Sequence, residues 1–145
     1  MAFAYFDMAH AIEVHDEIIR KSGGILGTLN IGLLESSLEH IQNDTYYPAI
    51  EDKLTHLFYT VNKNHSFNDG NKRASIALSA YFLEINGLGF LVINFINRME
   101  NIAVYVADNY ISKELLAEII TSIIYEEDYS EILKLKIYHA LNQVH

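Results

Sequence analysis

Ten consecutive residues, Ala74 to Leu83, carry no charge and place apolar or small side chains all round a helical wheel. A helix with no polar face has to be enclosed by other elements. The fold class that satisfies this demand is all-α, a helical bundle around one central buried helix that runs from Asn71 to Glu84 and is ended by Gly87. With 145 residues, 50% hydrophobic and 20% charged, the chain has material for one globular domain over 1–145 and no room for a second.

The surrounding helices announce themselves by caps and by apolar spacing. Asp7 can cap a first helix with Met8, Ile12, Ile18 and Ile19 on its apolar side, and Gly23-Gly24 would end it in a left-handed turn. Asn30 can cap a second, with Leu34, Leu38 and Ile41 spaced by turns. Ile50, Leu54, Leu57, Phe58 and Val61 mark an amphipathic third. Gly89 to Asn94 is predicted as a short extended piece, followed by an outer helix carrying Met99, Ile102, Ala103, Val106 and Tyr110. Ser112 and Ser130 can cap two more, with Leu116, Ile119, Ile120 and Ile123 in one and Leu133, Ile137 and Leu141 in the other. No repeat, low-complexity run or linker interrupts them, and the single proline, Pro48, lies in a Tyr-rich connection.

Composition removes several classes of partner. Cysteine is absent, so neither a disulfide framework nor a cysteine-based zinc site is available, which suits a reducing interior. Met1 to His10 lacks a basic segment ahead of an apolar run, so no secretory signal is expected and the expected location is cytoplasmic. Ala74 to Leu83 falls well short of the roughly 20 apolar residues that cross a bilayer, so no membrane span is expected. Nineteen acidic against ten basic side chains give a net charge of -9, which argues against nucleic acid as a main partner.

Against that acidic background the one Lys-Arg dipeptide, Lys72-Arg73, stands out. It closes the segment His65-Ser66-Phe67-Asn68-Asp69-Gly70-Asn71-Lys72-Arg73, which feeds the amino end of the buried helix. A helix amino terminus presents unpaired N–H groups and roughly half a positive charge, so it favours an anion such as a phosphate. Cations in the first turn oppose that dipole, and a bound phosphate removes the conflict. Asn68, Gly70, Asn71, Lys72 and Arg73 are therefore the candidate nucleotide- or phosphate-binding residues. Asp69 offers a hard oxygen ligand that suits Mg²⁺ held by one or two carboxylates and by nucleotide oxygens. The imidazole of His65, the candidate catalytic residue, can accept a hydroxyl proton. Phe67 is the candidate structural anchor that packs the loop on the core. A base, a metal ligand and an anion cradle are the parts that phosphoryl or nucleotidyl transfer needs. Plainer readings stand beside these: Asp69 as a helix cap, Lys72 and Arg73 as solvated surface charges.

The segment resembles the signature of the Fic/Doc family, H-x-F-x-(D/E)-(G/A)-N-(G/K)-R, with every fixed position filled. Outside it, His15-Asp16, the Gly23-Gly24 and Gly27 turn, Leu34-Glu35-Ser36-Ser37-Leu38 and the Leu83 to Gly87 helix end resemble the Doc branch in order and spacing, that of the death-on-curing toxins of type II toxin-antitoxin pairs. Beyond Gly87 the likeness rests on general helicity. The resemblance implies transfer from ATP or another nucleoside triphosphate to a protein hydroxyl. It makes His65 similar to the family base, Asp69 to its Mg²⁺ ligand, and Asn71, Lys72 and Arg73 to its phosphate-binding residues.

Two positions separate this chain from the AMP-transferring members it resembles. They carry Gly where this chain has Lys72, and a second Arg where it has Ile76. Both differences point toward the Doc branch, whose implied activity is phosphorylation of a translation factor by a nucleotide bound in reverse. AMP transfer and a catalytically silent partner-binding module remain the alternatives. The family's inhibitory pattern, (S/T)-x-x-x-E-(G/N), is approached only by Ser122 to Glu126, where Glu127 replaces its last element. A separate antitoxin protein is accordingly the expected regulator. Tyr46, Tyr47 and Pro48 can form a small hairpin flap that holds a target peptide, or can pack inward. His10, His15, His40, His56, His139 and His145 receive no role.

Overall fold

The computed structural model describes residues 2–143; Met1 and His145, both named above, lie outside the described residues. Apolar residues recurring every three to four positions sort the described chain into α1 (Met8–Ser22), α2 (Ile31–His40), α3 (Ile50–Lys63), α4 (Asn71–Ile85), α5 (Val92–Ala107), α6 (Lys113–Tyr125) and α7 (Glu131–Leu141). The architecture is all-helical, as expected; the described residues contain no strand, only one isolated antiparallel bridge between Thr28 and Phe67.

α4 is the enclosed helix. It packs against α1, α3 and α5, with Ala74, Leu78, Phe82 and Leu83 wholly removed from solvent. Its small buried residues, Ser75, Ser79 and Ala80, let neighbouring helices approach, and the Ser75 hydroxyl is satisfied locally by donating to the Lys72 carbonyl at 2.6 Å. α3 shares the centre, although its sequence reads as amphipathic. Its second face is buried through paired polar groups: Lys53, fully buried, donates to Ile41 O at 2.6 Å and to Asp44 at 2.7 Å, and the Asn62 amide donates to Ala103 O at 3.0 Å. The Lys53 ammonium and the Asn62 amide N–H each find an acceptor there, whereas Asn62 Oδ1, the Thr55 hydroxyl and His56 Nε2 have no hydrogen-bond partner among the described residues.

The caps at Asp7, Ser112 and Ser130 form as their residue types suggest. Their side chains accept from the N–H groups of His10, Leu115 and Leu133 at 2.9, 3.1 and 3.2 Å. Asn30 stands at the N-cap of α2 without capping it; its side-chain amide donates to Asn64 O instead. Two local expectations need correction. Gly89 to Asn94 is not extended: Gly89–Leu91 is a 3₁₀ turn, closed by Leu91 N–H on Leu88 O at 3.0 Å, and α5 begins at Val92. Nor does a hairpin form at Tyr46 to Pro48, because the Asn43 side chain accepts from the Thr45 and Tyr46 N–H groups and curls the segment into a turn. Tyr47 packs inward, its ring 4.5 Å from that of His56, while Tyr46 faces solvent.

Candidate functional site

The segment from His65 to Gly70 joins α3 to α4 and is held by the chain between α1 and α2. Leu29 N–H donates to Ser66 O at 2.9 Å and Asn68 N–H to Gly27 O at 3.1 Å, on either side of the bridge between Thr28 and Phe67. The Phe67 side chain is buried, and its backbone is clamped by Asn71, whose amide accepts from Phe67 N–H at 3.1 Å and donates to Phe67 O at 3.0 Å. Burying one apolar side chain in the middle of the segment leaves His65, Asn68 and Lys72 exposed on its outer side. His65 has a φ of 50°, a left-handed conformation uncommon outside glycine and tolerated better by His than by branched residues. The Asn71 side chain is thus committed to the loop, and its backbone N–H is what it has left to offer an anion.

Gly70 precedes the first helical hydrogen bond, Ala74 N–H to Gly70 O at 2.8 Å, so the N–H groups of Asn71, Lys72 and Arg73 are the open donors of this end. Gly70 has a φ of 76°, and a Cβ there would lie 3.1 Å from the Ile19 side chain and 3.4 Å from His15 Nε2. Asp69 does not cap α4. One of its oxygens accepts from Ile25 N–H at 3.1 Å and the other from Gly70 N–H at 2.8 Å. Those two backbone donors, Ile25 first, with Arg73 adding a smaller attraction, hold its carboxyl below the usual Asp range. Gly24 makes the contact feasible, since a Cβ there would fall 2.7 Å from the Asp69 carboxylate.

The two cations divide their work. Lys72 is exposed and pairs with no carboxylate among the described residues. Arg73 folds back across the carboxyl end of α1, donating through Nη1 to Ser22 Oγ and to Gly23 O at 3.0 Å, with Nη2 4.0 Å from Asp69. The negative end of the α1 dipole therefore stabilises a cation that the positive end of α4 opposes. Of the five guanidinium N–H donors, those on Nη2 and Nε remain for another acceptor.

His15, given no role on sequence grounds, belongs to this assembly. It is fully buried in α1, its ring lies parallel to that of Phe67 at 3.8 Å, and its Nε2 sits 2.5 Å from the Asp69 carbonyl. A carbonyl only accepts, so Nε2 carries the proton and His15 fastens the backbone of the residue whose carboxylate faces out. The readable signal was its position between Ala11 and Ile19, four residues from each on the inward face of α1.

No cluster of three or more His, Asp or Glu suited to a metal forms among the described residues. Asp69, 42% exposed at its side chain, is the one carboxylate of the loop. One carboxylate with open coordination on its outer side fits a magnesium ion that takes its other ligands from water and phosphate oxygens.

A model of the Fic/DOC family matches residues 5–83, which include both α1 and the whole loop into α4. Over 70 residues the chain is 37% identical to a protein described as "Toxin Doc" from Mycolicibacterium smegmatis (strain ATCC 700084 / mc(2)155), covering 46% of this chain and 54% of that one. Over 81 residues it is 33% identical to "Protein kinase doc" of Escherichia phage P1, covering 53% of this chain and 64% of that one. The chain thus spans between half and two-thirds of the length of these curated relatives.

Proposed function

The chain belongs to the Fic/DOC family, and from that premise we propose that it is a Doc-type toxin that transfers a phosphoryl group from a nucleoside triphosphate, ATP or a similar one, to a hydroxyl of a target protein. The observation that carries this reading is the amino end of α4, where the N–H groups of Asn71, Lys72 and Arg73 are open and Lys72 is exposed, directly after the loop that carries His65 and Asp69.

In this reading the phosphates lie against the N–H groups of Asn71, Lys72 and Arg73, with Gly70 allowing their approach and Asn68 at the rim. The Asp69 carboxylate would hold Mg²⁺, which when bound supplies countercharge to the phosphate oxygens. His65 takes the proton of the attacking hydroxyl at a ring nitrogen. Phe67 and Asn71 keep the loop rigid, and His15 and the Gly24 turn fix Asp69 from behind. The kinase reading is favoured over AMP transfer by Lys72, which adds bulk and charge where AMP-transferring members have Gly. Ile76 favours it too: it packs half-buried against the core and offers a distal phosphate no donor. One of the similar proteins is itself described as a kinase.

The target expected from the family likeness is a translation factor, the regulator a separate antitoxin, and the place of action the cytoplasm. No described helix is long and apolar enough to cross a membrane. The deciding experiment incubates the purified chain and Mg²⁺ with cell lysate and triphosphate labelled at either the α or the γ position. Protein label from γ alone is the expected result. Label from α alone would establish AMP transfer, and label from neither would leave a silent binding module.

A further inference from the structure

Among the described residues no hydrogen bond or ion pair reaches the ring of His65, and its backbone sits at a φ of 50°. The direction in which that imidazole leaves the chain is therefore set by the segments on either side of it. Downstream, the buried Phe67 and the Asn71 clamp fix the loop. Upstream stands the last turn of α3, and its two final side chains both reach across to the carboxyl end of α5. The Asn62 amide donates to Ala103 O at 3.0 Å. Lys63 Nζ donates to Val106 O at 3.3 Å, to Ala107 O at 3.4 Å and to Asn109 Oδ1. The three N–H donors of the ammonium thus meet three oxygens of one helix end. Because Lys63 also lies in the last turn of its own helix, one cation serves the negative poles of two helices.

We propose that Lys63 is a positioning residue for His65, fastening the end of α3 to α5 so that the imidazole two residues later is presented in one direction. The proposal rests on His65 being the base of the transfer reaction. A cation so near the base could instead be a phosphate ligand, but its donors are already committed to α5, whereas those of Lys72 are free. Helix ends open at little cost unless something ties them down. A left-handed residue other than glycine persists only where its surroundings over-determine it. Around His65 that constraint comes from two sides: Lys63 holds the chain that enters it, and Asn30 N–H donates to His65 O at 3.2 Å from the start of α2. Asn109 completes the anchor, its own φ of 65° ending α5 where the side chain accepts from Lys63. Without the ammonium, the last turn of α3 would be free to fray and the imidazole to swing away from the attacking hydroxyl.

The test compares the intact protein with Lys63→Met, which keeps the stem and removes the donors, and with Lys63→Arg, which restores a cation. Three quantities are read: the rate of label transfer at saturating ATP and Mg²⁺, the ATP affinity by calorimetry, and amide hydrogen exchange. Lys63→Met should transfer label at least about tenfold more slowly, since small misplacements of a reacting group are costly. Its ATP affinity should stay within about twofold of wild type, because the phosphate cradle is held separately through Phe67 and Asn71. Exchange at Asn64 and Asn30, whose N–H groups bond to Thr60 O and His65 O, should quicken about tenfold. Lys63→Arg should recover most of the rate. An unchanged transfer rate, unchanged exchange at both amides, or an affinity that falls as far as the rate overturns the positioning role. Should the wild type transfer no label at all, the reading of the reaction fails, and exchange alone decides whether Lys63 holds the segment. If Lys63→Met does not fold, Asn109→Gly takes its place, since it suits the positive φ and removes one acceptor. That variant should keep its thermal transition and lose about threefold in rate; a full rate there overturns the proposal.

Discussion

α4 and α6 both place a lysine in their first turn, and the two ends are built in opposite ways. α6 starts from Ser112, whose hydroxyl accepts from Leu115 N–H at 3.1 Å, and its Lys113 is drawn inward onto His56. α4 starts from Gly70 with no side-chain cap, and its Lys72 stands free in solvent. A cap satisfies the orphan donors of a helix end with the chain's own oxygen and so closes the end to other acceptors. Leaving α4 uncapped forgoes that stabilisation and keeps the donors available to an anion from outside. The same residue type, lysine, is therefore solvent-exposed in one place and half-buried against an imidazole in the other.

The sharpest way to break this contrast is at His65. His65→Ala should lower γ-label transfer by about 10²- to 10⁴-fold, the usual contribution of a general base. Because His65 is exposed, the melting temperature should stay where it is. Activity surviving in the variant would make the open end of α4 a binding feature only. The closed end answers to pH instead. His56 folds with its pKa at about 4 against an ordinary 6.5, so the unfolded chain binds a proton that the folded chain refuses. The stability this represents is complete above 6.5 and is lost as the pH falls toward about 4, by about 3 kcal/mol at most. Urea titrations across that window should show the decline in the wild type and a flatter profile in His56→Leu.

A third intervention acts on the geometry of the open end. Gly70→Ala forces a left-handed conformation on a residue with a Cβ, at about 1–2 kcal/mol, and sets that Cβ 3.1 Å from the Ile19 side chain. Denaturation should register the loss. Calorimetry with ATP and magnesium should register weaker binding as well, since the displaced turn carries the N–H groups of Asn71 and Lys72. Normal affinity in a destabilised variant would place the phosphates elsewhere.

Much of this was legible beforehand, and apart from the short turn at Gly89–Leu91 the misses share a cause. The helices, the caps at Asp7, Ser112 and Ser130 and the nine-residue loop are written in local spacing, which the chain cannot disguise. The central position of α4 followed from its lack of a polar face. The burial of Lys53, His56 and Asn62 could not be read from periodicity, which sends polar side chains to solvent; it goes with partners on other segments, Asp44, Lys113 and Ala103. His15 stayed silent for the same reason, its partner Asp69 lying 54 residues on. Arg73 was read through the α4 dipole alone; the opposing dipole of α1 becomes visible only when the two helices meet.

The smallest effects give the cleanest separation of the two ends, because each variant should move one observable and spare the other. Ser112→Ala removes the cap of α6 without touching the loop at residues 65–73. It should cost about 1 kcal/mol, a drop of about 2–4 °C in melting temperature for a chain of this size, with ATP affinity intact. Lys72→Ala removes a cation that holds nothing in the folded chain, so the melting temperature should stay within error. Its loss should weaken ATP binding roughly fivefold, or about 1 kcal/mol, and less so as salt is raised, because an exposed charge acts through screened attraction. Should Lys72→Ala instead lower the melting temperature and leave the affinity alone, Lys72 would be a structural charge, and the two helix ends would differ only in who satisfies them.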